Sequence, residues 1–267
     1  MKIAYLILTH KSYIQLTRLI NTLNCEDVYF FIHVDKNSTD EFFYEINKTF
    51  KTYNNIFFIE RYRCAWGEFS IVEATIEGIK TIISSNINID YVVLLSGQDY
   101  PIKSNKYIKE FFTLNNGKCF IQNFPIPHPD YHNGFYNRVP PKYKLPLNIS
   151  LWGGSQWWCL TKECIYYIYY FIIKNPGYTE YCKHLVAPDE IFFQTIVMNL
   201  NLKSKVVNDG LKYMDWDSVP SPKNHPATLS KEYLSTLSNS TSLFARKFDI
   251  EYDYEILDMI DKDLLKI

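Results

Sequence analysis

"VYFFIHVDKNSTD" (residues 28–40) is the stretch on which the fold turns. From Val28 to Val34 every residue is apolar or aromatic except His33, and a polar turn follows at once. A strand with one face in water alternates apolar and polar side chains, so a run apolar on both faces must be covered on both. "IAYLIL" (3–8), "NIFFIE" (55–60) and "YVVLLS" (91–96) share this character. Between them, "YIQLTRLINTL" (13–23), an amphipathic stretch near 40–50, and Ser70 to Ser84 have helical spacing; in the last, Val72, Ile76, Ile79 and Ile83 mark one face. Buried strands alternating with helices predict an α/β domain of the nucleotide-binding type, its mostly parallel central sheet flanked by helices.

In such sheets ligands collect beyond the carboxyl ends of the strands. The residues predicted there are Thr9-His10-Lys11, His33-Val34-Asp35-Lys36 and Ser96-Gly97-Gln98-Asp99. One polar cluster is an ordinary strand-end turn, whereas three at successive strand ends point to a site. The second half is less periodic. "PIPHPDYHNGFYNRVPPKYKLPLNISLWGG" (125–154) is proline-rich, and its Tyr, Trp, Phe and Arg content argues for a functional loop rather than disorder. "SQWWCL" reads as a strand entering a helix over 161–174, and another helix follows Pro188. Two closing helices are expected around "SLFARKF". No linker divides the 267 residues, so a single domain is expected. Within it, 1–115 is the nucleotide-binding half, 116–250 the acceptor and catalytic half, and 251–267 a C-terminal helix.

A formal net charge of -1 gives no reason to expect nucleic acid or an anionic membrane as partner. The N-terminal apolar run is too short to span a bilayer and lacks a cleavage site, so it reads as a first strand. The six cysteines form no C-x-x-C pair and sit among apolar residues, as reduced buried thiols do, so the expected compartment is cytoplasmic. Aromatics reach 17% of the chain, enough either to fill a core poor in Leu and Ala or to build sugar platforms.

Glycine-rich phosphate cradles and the G-x-S-x-G elbow are absent, and the histidines make no helical metal pair. Asp215-Trp216-Asp217 has the letters of a metal-holding Asp-x-Asp but lies late, and the position after "YVVLLS" offers only Asp99. A bound diphosphate would then need protein cations, for which Arg246 and Lys247, with Lys223 and His225, are the candidates. A solvated basic helix face is the plainer alternative for the first pair. Trp66-Gly67, Trp152-Gly153-Gly154 and Trp157-Trp158 suit a sugar site or a packed core equally. In "VAPDEIFFQTI" (186–196), Asp189 and Glu190 follow Pro188, where a helix dipole favours acidic residues. That field would also keep a carboxylate ionised, as a general base must be.

"IHVDK" (32–36), "AWGEFSIVEA" (65–74), "LLSGQDYPIKS" (94–104), "GSQWWCLTKE" (154–163), "APDEIFFQTI" (187–196) and "LFARKFD" (243–249), in this order, resemble the Core-2/I-branching glycosyltransferase family. That family includes β-1,6-N-acetylglucosaminyltransferases and peptide O-xylosyltransferases, and the short form here resembles its bacterial branch, without a stem or membrane anchor. The resemblance implies a GT-A-type fold and inverting, metal-independent transfer from a UDP-sugar, with GlcNAc the first donor to consider and xylose or glucose next. It places the catalytic base at Glu190, the uracil contact at Asp35 and a diphosphate contact at Lys247. A second diphosphate cation falls to His225, Lys223 or Arg246. Arg63 stands where animal members have a tyrosine three residues before Trp66. With His10 and His33 these residues make the expected nucleotide site, while Asp99, Trp157, Trp158 and Asp189 make the expected sugar and acceptor side. The expected acceptor is a glycan or lipid-linked glycan used in cell-surface polysaccharide synthesis; the lipid-linked form would bring the chain to a membrane surface. A non-catalytic carbohydrate- or nucleotide-binding relative is the alternative.

Overall fold

The computed structural model describes residues 1–129, 137–139, 144–220 and 225–267. Its strands are β1 (Ile3–Thr9), β2 (Val28–Val34), β3 (Ile56–Phe58), β4 (Tyr91–Ser96), β5 (Asp99–Pro101), β6 (Cys119–Ile121), β7 (Phe124–Pro125), β8 (Trp152–Gly153), β9 (Trp158–Thr161), β10 (Val206–Val207), β11 (Lys212–Met214) and β12 (Phe244–Arg246). Seven of them form a sheet in the order β10-β6-β9-β4-β1-β2-β3. Strands β1 to β4 pair in parallel, and β9 runs antiparallel to both of its neighbours, so the sheet is mostly parallel, as expected of the α/β class. A smaller sheet, β11-β12-β5, and the pair β7-β8 stand beside it.

The helices are α1 (Tyr13–Leu23), α2 (Asp40–Phe50), α3 (Ser70–Ser84), α4 (Asn105–Leu114), α5 (Lys162–Lys174), α6 (Pro176–Cys182), α7 (Phe192–Asn199), α8 (Leu234–Asn239) and α9 (Glu255–Met259). Side-chain oxygens of Ser12, Thr39, Ser104 and Thr161 cap α1, α2, α4 and α5, satisfying amides that the first turn leaves unpaired. The pleat divides the core cleanly. Ile3, Tyr5 and Ile7 point into one cluster with α1 and the C-terminal helix, while Ala4 and Leu6 join α3, α5 and α7 in the other. Both faces of the sheet are therefore dry, which is why its strands show no alternation.

Register makes the site. Leu8 lies opposite both His33 and Ser96, so the three polar clusters leave the sheet at one level. The second half differs from expectation in three places. Pro188–Glu190 is a single 3-10 turn rather than the start of an α-helix, and α7 begins only at Phe192, after a break at Ile191. "SLFARKF" contains strand β12, which lies between α8 and α9. The closing helix is short, α9 continuing into a π-helical turn over Ile260–Leu265. Among the described residues no helix is long and apolar enough to cross a membrane.

Candidate active site

A cavity of about 340 Å³ opens at the carboxyl ends of β1, β2 and β4, lined by Thr9, His10, His33, Asp35, Trp66, Trp157 and Arg246 among others. His33 is buried, and its Nε2 accepts the Tyr62 N–H at 3.0 Å. Burial drives its pKa down to about 4, so the ring is neutral at pH 7 and holds the loop after β3. Asp35 uses Oδ1 to accept from the N–H groups of Asn37 (2.8 Å) and Cys64 (3.2 Å). Its Oδ2 has no side-chain or backbone partner among the described residues and is available to a ligand. His10 sits at the rim, its pKa lowered by desolvation and then by Lys11, with Asp35 opposing. Trp66, 70% exposed, stands at the mouth on a loop whose next residue, Gly67, has φ +78°, a conformation that favours glycine. Arg63 is exposed, donates to Asn37 Oδ1 at 3.1 Å, and buttresses the Asp35 turn from outside the cavity lining.

The cationic side comes from β12. Its antiparallel register with β5 sets Arg246 opposite Asp99, and Arg246 donates to Asp99 Oδ1 at 2.8 Å. Asp99 is fully buried; its Oδ2 accepts the Ser96 N–H at 2.8 Å and pairs with the Lys212 ammonium. This overturns the expectation that Asp99 holds a sugar hydroxyl, because the carboxylate is enclosed and already bonded on both oxygens. Lys212 itself carried no sequence signal, since a lone lysine in a short strand ordinarily faces water. Lys247 is partly buried, and burial followed by repulsion from Arg246 lowers the pKa of its ammonium. Of the alternatives for a second diphosphate cation, Arg246 lines the cavity and His225 does not; His225 is exposed, with Nδ1 3.0 Å from the Pro226 carbonyl. Lys223 lies outside the described residues. Asp215 caps its own turn, accepting from the N–H groups of Asp217 and Ser218 and from the Tyr233 hydroxyl. Bonding to Ser218 and then Tyr233 holds its pKa well below the usual carboxylate range.

The tryptophan pair splits. Trp157 is mostly buried and lines the cavity, with the Arg246 guanidinium 4.3 Å from its ring centre. Trp158 is fully buried against Phe193 in the sheet core, so the acceptor role expected of it is withdrawn. Trp157 precedes β9 and borders the cavity, whereas Trp158 is the first residue of the strand and is enclosed by the core.

The Pro188–Glu190 turn is tied to both sides of the cavity mouth. Ala187, with φ 49°, donates its N–H to the Gly67 carbonyl at 2.9 Å, next to Trp66. The Glu190 carbonyl accepts the Gly154 N–H at 2.9 Å, two residues before Gln156 of the cavity lining. Gly154 is obligatory there, since a Cβ would overlap the Gln122 carbonyl oxygen. Glu190 Oε2 pairs with the Arg138 guanidinium, while Oε1 has no partner among the described residues. Burial raises the Glu190 pKa, and the Arg138 guanidinium opposes the rise by favouring the charged form. Arg138 falls in the expected functional loop, but nothing in the sequence singled it out. Asp189 is buried, with Oδ1 lacking a hydrogen-bond partner among the described residues. Burial and then the adjacent Glu190 push its carboxyl up to about 7. Enclosed in this way it does not reach a substrate, which corrects its expected binding role.

Residues 3–238 match the model of the Core-2/I-branching enzyme family. Xylosyltransferase 2 of Rattus norvegicus is 24% identical over 290 residues, covering 97% of this chain and 33% of that protein. The β-1,3-galactosyl-O-glycosyl-glycoprotein β-1,6-N-acetylglucosaminyltransferase 4 of Mus musculus is 26% identical over 213 residues, covering 73% of this chain and 46% of the relative. Among solved structures, the apo form of mouse xyloside xylosyltransferase 1 covers 92% of this chain and 97% of its own at 12% identity and a TM-score of 0.43. The chain thus spans between a third and a half of the length of these two curated relatives. With the family model matching most of its length, and with the six ordered motifs in place, the chain belongs to the Core-2/I-branching enzyme family.

Proposed function

We propose that this chain is a glycosyltransferase that moves a sugar from a UDP-sugar to a hydroxyl of a glycan acceptor, with inversion and without a metal ion. The observation that carries the reading is the position of Glu190. It stands on a turn bonded to both sides of the cavity mouth, one carboxylate oxygen held by Arg138 and the other unpartnered among the described residues. In the reaction, Glu190 Oε1 removes the acceptor hydroxyl proton as that oxygen attacks the anomeric carbon. The bond from this carbon to the diphosphate oxygen breaks on the opposite face, and UDP leaves with the electron pair. Arg246 and Lys247 take up the charge of the departing diphosphate, a role that preorganised cations perform well in a partly dry site. Asp35 Oδ2 is suited to accept from the base or ribose, and Trp66 to cover the mouth.

GlcNAc and xylose are the two donors supported by similarity to the named relatives. The acceptor is a glycan or a lipid-linked glycan. The test is a hydrolysis screen of UDP-sugars by the purified chain, with and without excess EDTA, since slow hydrolysis proceeds without the acceptor. Release of UDP from one of these donors at an undiminished rate in EDTA is expected. Strict dependence on added manganese would overturn the role given to Arg246 and Lys247, and hydrolysis of none would favour a non-catalytic binding protein.

A further inference from the structure

Asp99 is held between two cations, and their charges do not cancel. Its fully buried carboxylate meets Lys212 on Oδ2 and Arg246 on Oδ1. The two cationic side chains are 2% and 16% exposed. Both lie against one indole: the Lys212 ammonium is 4.0 Å and the Arg246 carbon 4.3 Å from the Trp157 ring centre. Two positive charges and one negative leave the cluster with a net charge of one. Arg246 lines the strand-end cavity, whereas Lys212 lines a second cavity of about 240 Å³, with Ser155, Asp209 and Trp216.

We propose that Lys212 is a positioning residue for the leaving-group side of the donor site, neutralising Asp99 so that Arg246 keeps its positive charge for the diphosphate. This rests on the reading that a nucleotide diphosphate occupies the strand-end cavity. Without Lys212, Asp99 and Arg246 form a closed neutral pair, and no net positive charge is left at the cavity wall for a diphosphate. Charges buried this deeply are poorly screened, so the loss of one cation, which takes the cluster from a net charge of one to zero, is felt at the cavity.

The experiment measures UDP and uridine binding to the full chain by calorimetry, for wild type, Lys212→Met, Lys212→Arg and the double variant Asp99→Asn/Lys212→Met. Lys212→Met is expected to weaken UDP at least about tenfold while leaving uridine, which lacks phosphate, unchanged. Lys212→Arg retains the charge and most of the affinity. The double variant regains most of the loss, because Arg246 no longer faces a carboxylate. Equal weakening of UDP and uridine would reveal a merely structural lysine and overturn the proposal, as would a double variant as weak as Lys212→Met. If Lys212→Met does not fold, the double variant alone decides: a UDP-to-uridine preference like wild type supports the proposal, and one about tenfold lower overturns it. A wild-type chain that binds UDP no better than uridine would remove the diphosphate from the cavity, and this proposal with it.

Discussion

The Arg138 guanidinium closes on one carboxylate oxygen of Glu190, a residue 52 positions further along the chain. The pair joins the proline-rich loop to the turn that carries the proposed base. Arg138, rather than a helix dipole, is the group that favours the charged form of that carboxylate, because Pro188–Glu190 is only a 3-10 turn.

Glu190→Gln keeps the size and the backbone bonds of this turn but removes the proton acceptor. The variant is expected to melt as wild type does, bind UDP unchanged, and lose about a hundredfold or more in turnover. Full turnover by the variant would end the assignment of Glu190 as base.

Replacing Arg138 by Met should move the acid limb of the pH–rate profile upward. The base works only when ionised, so activity falls as pH drops through its pKa. Burial already raises that pKa, and Arg138 opposes the rise through both its charge and its hydrogen bond. Loss of the cation should displace the limb by about one unit or more. An unmoved limb with a lowered plateau would instead assign Arg138 to acceptor binding.

Asp189 gives a stability prediction independent of turnover. Its folded-state pKa, about 7, lies above the ordinary carboxylate value. The folded chain therefore holds a proton that the unfolded chain releases, and its stability falls as pH rises from about 4 to 7. Asp189→Asn removes that slope. Relative to wild type, the variant should gain about 1–3 kcal/mol between pH 5 and pH 8, read from denaturant midpoints. A constant difference across this range would show that the carboxyl is ionised throughout.

Gly154→Ala should destabilise the fold by about 1–3 kcal/mol, since the new methyl meets the Gln122 carbonyl oxygen and the backbone must shift. The same shift pulls the Gly154 N–H from the Glu190 carbonyl. Turnover should accordingly fall further than stability alone accounts for, measured at a temperature where the variant is fully folded.

Much of the first half was legible from local pattern. The boundaries of α1, α3 and β4 coincide with the periodic runs that predict them, because these elements bury continuous apolar faces. The second half was less legible. "LFARKF" carries basic residues that read as a helix surface, yet it is a strand because β5 and β11 supply its backbone partners, and they lie far away in sequence. Asp99 looked available at a strand end, and only the arrival of Lys212 and Arg246 closed it off.

The order of residues alone carried the alternation of buried strands and helices, the polar clusters after the buried runs, and the carboxylate pair after Pro188. Each of these follows from local spacing along the chain. Packing in space brought the polar clusters to one level, joined Arg138 to Glu190, took Asp189 out of solvent and set Lys212 against Asp99. The reason is physical: charge and burial depend on neighbours through space, and these neighbours are brought together only when distant segments pack.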